Sequence, residues 1–324
     1  TLLGLYGILG IIIGLVVIGI IGISSLLYVF TRMFPKEKEI ATYYTGGLLR
    51  KNVLAGAIVI ILLFFIFRYL VGFIEWPLLP LLYQIPLEFS LLIEVILIFL
   101  MFGLLFFIVV PFGIKLPDGK TTMRQYIYSI GLTKTKPVVR NILLGITSFI
   151  LYALSTWVFA NLFGTYIFDP KVLFGYPTIY GLGWALFYIM LEPGIWEEFA
   201  FRGVILNLQL KKYSKMTSII TNGILFGLMH FFRLLLGQSL EATLSQVFFA
   251  SCLGIALSYV YVKTGSLLPC IILHYFINTF GQLFVYASFP NAVNYYLFLV
   301  YGVSLAPMIL IILFTKLIVR NRKP

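Results

Sequence analysis

The chain has 324 residues, of which 61% are apolar and only 10% charged, with a formal net charge of +12. Soluble domains carry about 25% charged residues, so this composition excludes a water-soluble globule and implies an outside in contact with lipid. The two cysteines, Cys252 and Cys270, lack metal-ligand spacing and fall in apolar segments, where they read as small buried hydrophobes rather than a disulfide or a zinc finger.

A run of about 20 apolar residues crosses a hydrocarbon core of about 30 Å. Nine such runs are predicted, at 2–30, 53–74, 86–111, 139–163, 176–210, 216–236, 241–263, 267–286 and 291–318. The first has no basic n-region or small-residue cleavage site, so it is expected to be a span and not a removable signal. The fifth is too long for one straight crossing, and Pro193-Gly194 within it predicts a kink or break. The eighth opens on Thr264-Gly265-Ser266-Leu267-Leu268-Pro269, a tight turn followed by a proline tolerated in a helix's first turn.

The basic residues fall in alternate loops: Arg32 to Lys51, Lys115 to Arg140, Lys211 to Lys215, Lys263, and Lys316 to Lys323. Only Arg68, Lys171, Arg202 and Arg233 lie elsewhere. The positive-inside rule then gives about nine helices, with the N-terminus outside and the C-terminus cytoplasmic. The fold class read from this is an all-α, polytopic transmembrane bundle. The positive charge is a topology signal with secondary contact to anionic headgroups, not a nucleic-acid surface. Residues 1–111 read as an N-terminal three-helix membrane extension, 112–138 as a basic cytoplasmic loop, and 139–324 as the main bundle.

Charged groups deep in a bilayer cost several kcal/mol and are usually functional. Span five nonetheless carries Glu197, Glu198 and Arg202. Glu198 and Arg202 stand at i, i+4 on one helix face in the favoured order, acid first, and are expected to pair. Glu197 points about 100° further round the helix and has no local counter-ion, which suits a general base. The chain's two histidines are His230, in span six after Phe226, and His274, in span eight one turn before Asn278. All are expected to converge on one water-filled cavity, where such residues are tolerated at membrane depth. Glu88 and Glu94 are further intramembrane carboxylates, with Arg68 the candidate partner of Glu94.

The three motifs EExxxR (Glu197, Glu198, Arg202), FxxxH (Phe226, His230) and HxxxN (His274, Asn278), in this order, resemble those of the CPBP family. These are the CAAX-protease and bacteriocin-processing intramembrane endopeptidases, related to the Ras-converting CAAX prenyl endopeptidase. The resemblance centres on 180–285 and does not cover the first 110 residues. It implies that Glu197 and His230 activate water against a peptide carbonyl, that His274 and Asn278 stabilise the oxyanion, and that Glu198 and Arg202 hold the site together. It implies a membrane-anchored, prenylated or otherwise tethered peptide as substrate, with a cavity open to the cytoplasm or inner leaflet. The integral protein is expected in the plasma membrane of a prokaryote. No required cofactor is favoured; the rival is a divalent metal such as zinc on Glu197, Glu198, His230 and His274.

A second reading starts from the 36–47 loop, KEKEIATYYTGG. It resembles Tyr/Gly-containing loops of membrane-arm subunits in complex-I-like and hydrogenase-type enzymes. On that reading the chain is a non-catalytic subunit that keeps the CPBP fold and meets other membrane subunits through residues 1–111. A third reading is a transporter relaying protons through Glu94 and the Glu197/Glu198 pair.

Overall fold

The computed structural model describes residues 47–118, 122–178 and 181–319. The predicted span at 2–30 and nearly all of the 36–47 loop lie outside the described residues. What is described is almost wholly helical, apart from one short antiparallel pairing of β1 (Thr165–Tyr166) with β2 (Ala287–Ser288). The principal helices are α1 (Val53–Glu75), α2 (Leu87–Leu104), α3 (Val138–Phe163), α4 (Leu206–Lys212), α5 (Lys215–Met229), α6 (Leu240–Thr264), α7 (Leu268–Phe280) and α8 (Ala306–Ile318).

Among the described residues, six helical stretches are long and apolar enough to cross a membrane: Val53–Leu82, Leu87–Ile114, Val138–Phe163, Lys215–Leu236, Leu240–Thr264 and Ala292–Ile318. The predicted fifth and eighth runs are helical but interrupted. The eighth is α7, whose 13 residues begin with Pro269 in the first turn and give way to a tight turn at Gly281–Leu283. The fifth breaks where Pro193-Gly194 foretold it. A short helix at Leu186–Ile189 is followed by wide, π-helical turns over Pro193–Glu197 and Phe199–Ile205, and then by α4. Proline removes a hydrogen-bond donor from the ladder, and the widened turns re-aim the side chains that follow, as such bulges often do at functional sites.

Helix starts follow local chemistry. The side chains of Asn52, Ser214 and Ser239 accept from Ala55 N, Thr217 N and Ala242 N at the starts of α1, α5 and α6, satisfying backbone donors that a helix start leaves free. Helix α6 ends on Gly265 in the left-handed conformation (φ 66°), which glycine adopts without a steric cost.

The loop contacts sort the segment ends into two groups. At one end Arg50 Nε donates to Lys115 O at 3.0 Å, Lys212 Nζ to Lys51 O at 3.3 Å and Leu267 N to Gly131 O at 3.2 Å, and Lys211 pairs with Asp118. At the other end Tyr188 Oη donates to Glu88 O at 2.7 Å, Tyr166 Oη to Leu283 O at 2.7 Å and Tyr296 Oη to Glu241 Oε1 at 2.7 Å. The chain therefore alternates between a basic end and an opposite end. Near the latter, Arg68 Nη2 meets Glu94 Oε1 at 2.6 Å across α1 and α2. This supplies the partner expected for Glu94 and removes the free carboxylate that a proton relay through it would use.

The main hydrophobic core runs from Ile60 and Phe64 on α1, Phe102 on α2 and Phe106 just beyond it to Leu257 on α6 and Leu273 on α7. Its tightest seam joins α5 to α6. A Cβ added to Gly223 would stand 2.5 Å from Ile255 N, and one added to Gly227 would stand 2.5 Å from Val247 O; both contacts are with backbone, so nothing can rotate away. Gly227→Val is expected to lower stability by about 1–3 kcal/mol, seen as a lower thermal midpoint in detergent, whereas Gly72→Ala, which meets nothing within 4 Å, should leave the midpoint near that of the unaltered protein.

Candidate active site

The site is built where the wide-turned segment 193–205 lies against α7 and α6. Trp196 and Phe199 anchor its back. The Trp196 ring stacks on Phe106 at 5.9 Å and 7°, and Phe199 meets Phe106 at 6.0 Å, so the segment is pinned by apolar surface to Leu105–Ile114, the wide-turned continuation of α2. Its front must then come close to α7. Gly194 permits this, since a Cβ there would be 2.9 Å from Tyr275 Cβ and 3.1 Å from Tyr275 Cα. The residue after Trp196 is Glu197 and the next is Glu198, so both carboxylates are carried on an anchored turn beside His274.

Glu198 is the hub. It is fully buried, as is Arg202, and Arg202 Nη1 donates to Glu198 Oε1 at 3.0 Å. The same oxygen accepts from His274 Nδ1 at 2.8 Å. Arg202 Nη2 donates to Gly254 O on α6 at 3.1 Å, which ties the pair to a third element. The i, i+4 pairing read from sequence is present, and it includes a histidine 76 residues further along.

His274 donates through Nδ1, so its Nε2 faces the other carboxylate, Glu197 Oε2, at 4.0 Å. That is too long for a direct hydrogen bond and short enough for both atoms to hold one water between them. His230 is fixed differently. Its Nδ1 lies 2.9 Å from Phe226 O; a carbonyl only accepts, so Nδ1 carries the proton and Nε2 is left for chemistry. The buried Phe226 ring is the common wall of the site. Its centroid is 5.3 Å from His230 and 5.7 Å from His274, both edge-on, and 4.5 Å from the Arg202 guanidinium carbon, a cation–π distance.

The structure thus brings Glu197, Glu198, Arg202 and His274 into one cluster, and sets His230 beside it across Phe226. Asn278 lies one turn beyond His274 on α7, half-buried, and no hydrogen bond joins it to the cluster among the described residues. Several neighbours escaped the sequence reading. Glu192 lies within electrostatic range of Glu197 and of Arg68, Glu94 and Arg233. Arg233 is three residues after His230 in a 3₁₀ turn, His230–Leu236, where i and i+3 side chains eclipse. That spacing is visible in sequence only once the turn type is known.

A protein-held zinc ion takes three or four convergent ligands. Among the described residues no three His, Cys, Asp or Glu side chains converge as ligands. Glu198 Oε1 is already shared by Arg202 and His274, whereas both histidines hold Nδ1 against an acceptor and leave Nε2 free, as metal-binding histidines commonly do. The four side chains Glu197, Glu198, His230 and His274 are not gathered as one ligand set among the described residues.

Apolar helices around buried charges define an integral, multi-pass membrane protein. Within it, residues 179–280 match the family model "Rce1-like: Type II CAAX prenyl endopeptidase Rce1-like", so this stretch is similar to the CAAX-protease family that the three motifs resemble, and it contains every residue of the site from Glu197 to Asn278. No curated protein and no solved structure matches the chain.

Removing one partner of a buried ion pair strands the other and costs about 3–5 kcal/mol, whereas removing both charges is far less damaging. Arg202→Met should therefore lower stability by about that amount. Adding Glu198→Gln to it should restore part of the loss, measured as thermal midpoints of the single and double variants in detergent.

Proposed function

We propose that this protein is an intramembrane endopeptidase that hydrolyses a peptide bond in a membrane-tethered, CAAX-type substrate. The observation that carries the reading is the packing of both histidines against Phe226 beside two adjacent glutamates, inside the stretch that matches a protease family. The proposed topology is the one given by the charge alternation, with nine spans, the N-terminus outside and the C-terminus in the cytoplasm, in a prokaryotic plasma membrane.

Hydrolysis needs a base for water, donors for the oxyanion and an acid for the leaving amine. Glu197 is the proposed base. It takes a proton from a water held between its Oε2 and the histidines as that water's oxygen attacks the peptide carbonyl, and it returns the proton to the leaving nitrogen. His230 presents Nε2 to the same water. His274 is the proposed oxyanion donor, presenting Nε2 to the carbonyl oxygen while its Nδ1 is held by Glu198 Oε1. Asn278 is the second donor, reached by substrate one turn along α7. Such donors count because they are fixed before charge develops. Glu198 and Arg202 position and do not touch substrate. No cofactor is needed by this scheme. A non-catalytic scaffold is not favoured by any of these observations, since every motif residue is present in the sequence.

In proteoliposomes with a quenched, farnesylated peptide, Glu197→Gln is expected to lower kcat by about 10²–10⁴, the usual contribution of a general base, with KM little changed. A chelator should leave cleavage by the unaltered protein intact. Loss of cleavage on chelation with recovery on adding zinc, or full activity in Glu197→Gln, would overturn the scheme.

A further inference from the structure

We infer that α1 braces the turn that carries His230: Phe232, held between Phe65 and Tyr69, is a positioning residue that sets the His230 ring relative to Glu197. The inference deepens the peptidase reading and rests on it for the role of His230. It assigns a task to helices that precede the family match.

His230 does not sit on a regular helix. Helix α5 ends at Met229, and His230–Leu236 continues as a 3₁₀ turn of seven residues with no side-chain cap, closed by Gly237 at φ 86°. Runs of this geometry beyond about three or four residues are uncommon, because their hydrogen bonds are poorer. Local sequence therefore does not fix the turn, and tertiary contacts must. Helix α5 itself is tied to the glutamate-bearing segment by Asn222 Nδ2, which donates to Phe201 O at 3.1 Å. That bond lies about two helical turns before His230. Past the far end of the turn, Gln238 Nε2 donates to Gln246 Oε1 on α6 at 3.2 Å.

Phe232 holds the near end. Its ring stacks on Phe65 at 4.3 Å and 27°, and Tyr69 meets it edge-on at 5.6 Å and 67°. Phe65 and Tyr69 stand at i, i+4 on one face of α1, so they grip one ring in the two arrangements that aromatic pairs prefer. Phe231, one position nearer His230, is exposed instead.

The brace is itself fixed to the other half of the site. Phe64 stacks on Phe102 of α2 at 4.5 Å and 25°, and Arg68 meets Glu94 of α2 at 2.6 Å. Helix α1 can neither turn nor slide on α2 without losing a ring contact or separating an ion pair. Phe102 and Phe99 lie 6.0 Å and 5.3 Å from the Trp196 ring. Trp196 precedes Glu197, and Phe232 follows His230 by two positions. One helix pair thus carries both groups proposed to hold the water, Glu197 through Trp196 on α2 and His230 through Phe232 on α1. A shift of α1 moves His230 and leaves His274, which Glu198 holds, where it is. A general loss of packing would move both.

Nitrogen-15 NMR of the histidine-labelled, full-length protein in nanodiscs reads the two rings separately and needs no cleavage, so this inference and the peptidase reading can fail independently. Phe65→Ala and Phe232→Ala are each expected to shift or broaden the His230 signals while those of His274 stay in place. The double variant should do no more than the stronger single one, since both remove the same contact. Phe232→Tyr, which keeps the ring, should return His230 to its original position, and Phe231→Ala should leave both histidines unmoved. In the farnesylated-peptide assay Phe65→Ala should lower kcat by up to about 10², the cost of a misplacement of about 1 Å, with KM little changed. His230 signals unmoved in Phe65→Ala and Phe232→Ala, an equal displacement of His274, or as large a shift in Phe231→Ala would overturn the brace. A raised KM with kcat unchanged in Phe65→Ala would do the same.

Discussion

A single carboxylate oxygen, Glu198 Oε1, accepts hydrogen bonds from Arg202 Nη1 and His274 Nδ1 in the buried interior of the bundle, and the rest of the site is arranged around it. An unpaired charge there would cost several kcal/mol, so the wide-turned 193–205 segment and α7 are held to one relative placement. Arg202 extends the constraint to α6 through the Gly254 carbonyl. The ion pair is weak as a source of stability, because desolvation offsets much of the attraction. Its value is in specification: few arrangements of three elements satisfy one oxygen twice, and this one aims His274 Nε2 at Glu197.

Apolar packing does the complementary work. Trp196 and Phe199 bind the glutamate-bearing turn to Phe106, just beyond the end of α2. Phe226 separates and orients the two histidines while covering the Arg202 guanidinium. The helices preceding residue 115 therefore shape the site although the family match begins at 179. Glycine sets how closely the elements approach, at Gly194 against Tyr275 and at Gly223 and Gly227 along the α5–α6 seam.

What the sequence made legible was local or periodic. The Glu198–Arg202 pair follows from i, i+4 spacing, the break in the fifth run from Pro193-Gly194, and the two ends of the bundle from alternating charge. The Arg68–Glu94 pair was accessible because both residues fall at similar depth on neighbouring helices. What was hidden depends on tertiary placement. His274 was paired in expectation with Asn278, its neighbour on one helix face, yet its nearest polar partner is Glu198 on another element. The wide turns over 193–205 rotate successive side chains away from the 3.6-residue period, so helical spacing alone could not show that Glu197 and Glu198 both reach His274. The role of Phe226 needed two histidines 44 positions apart to be seen on one ring, and the eclipsing of His230 and Arg233 needed the 3₁₀ turn.

The most direct test of the central claim uses the fact that the chain has only two histidines. Nitrogen-15 NMR of histidine-labelled protein in nanodiscs reports which ring nitrogens carry protons and how strongly each is hydrogen-bonded. The expected spectrum has an Nδ1-bound proton on both rings, one of them shifted far downfield by the Glu198 carboxylate, and Glu198→Gln should shift that signal back while leaving the His230 signal in place. Two rings protonated only on Nε2, or a spectrum indifferent to Glu198→Gln, would contradict a site organised around that shared oxygen.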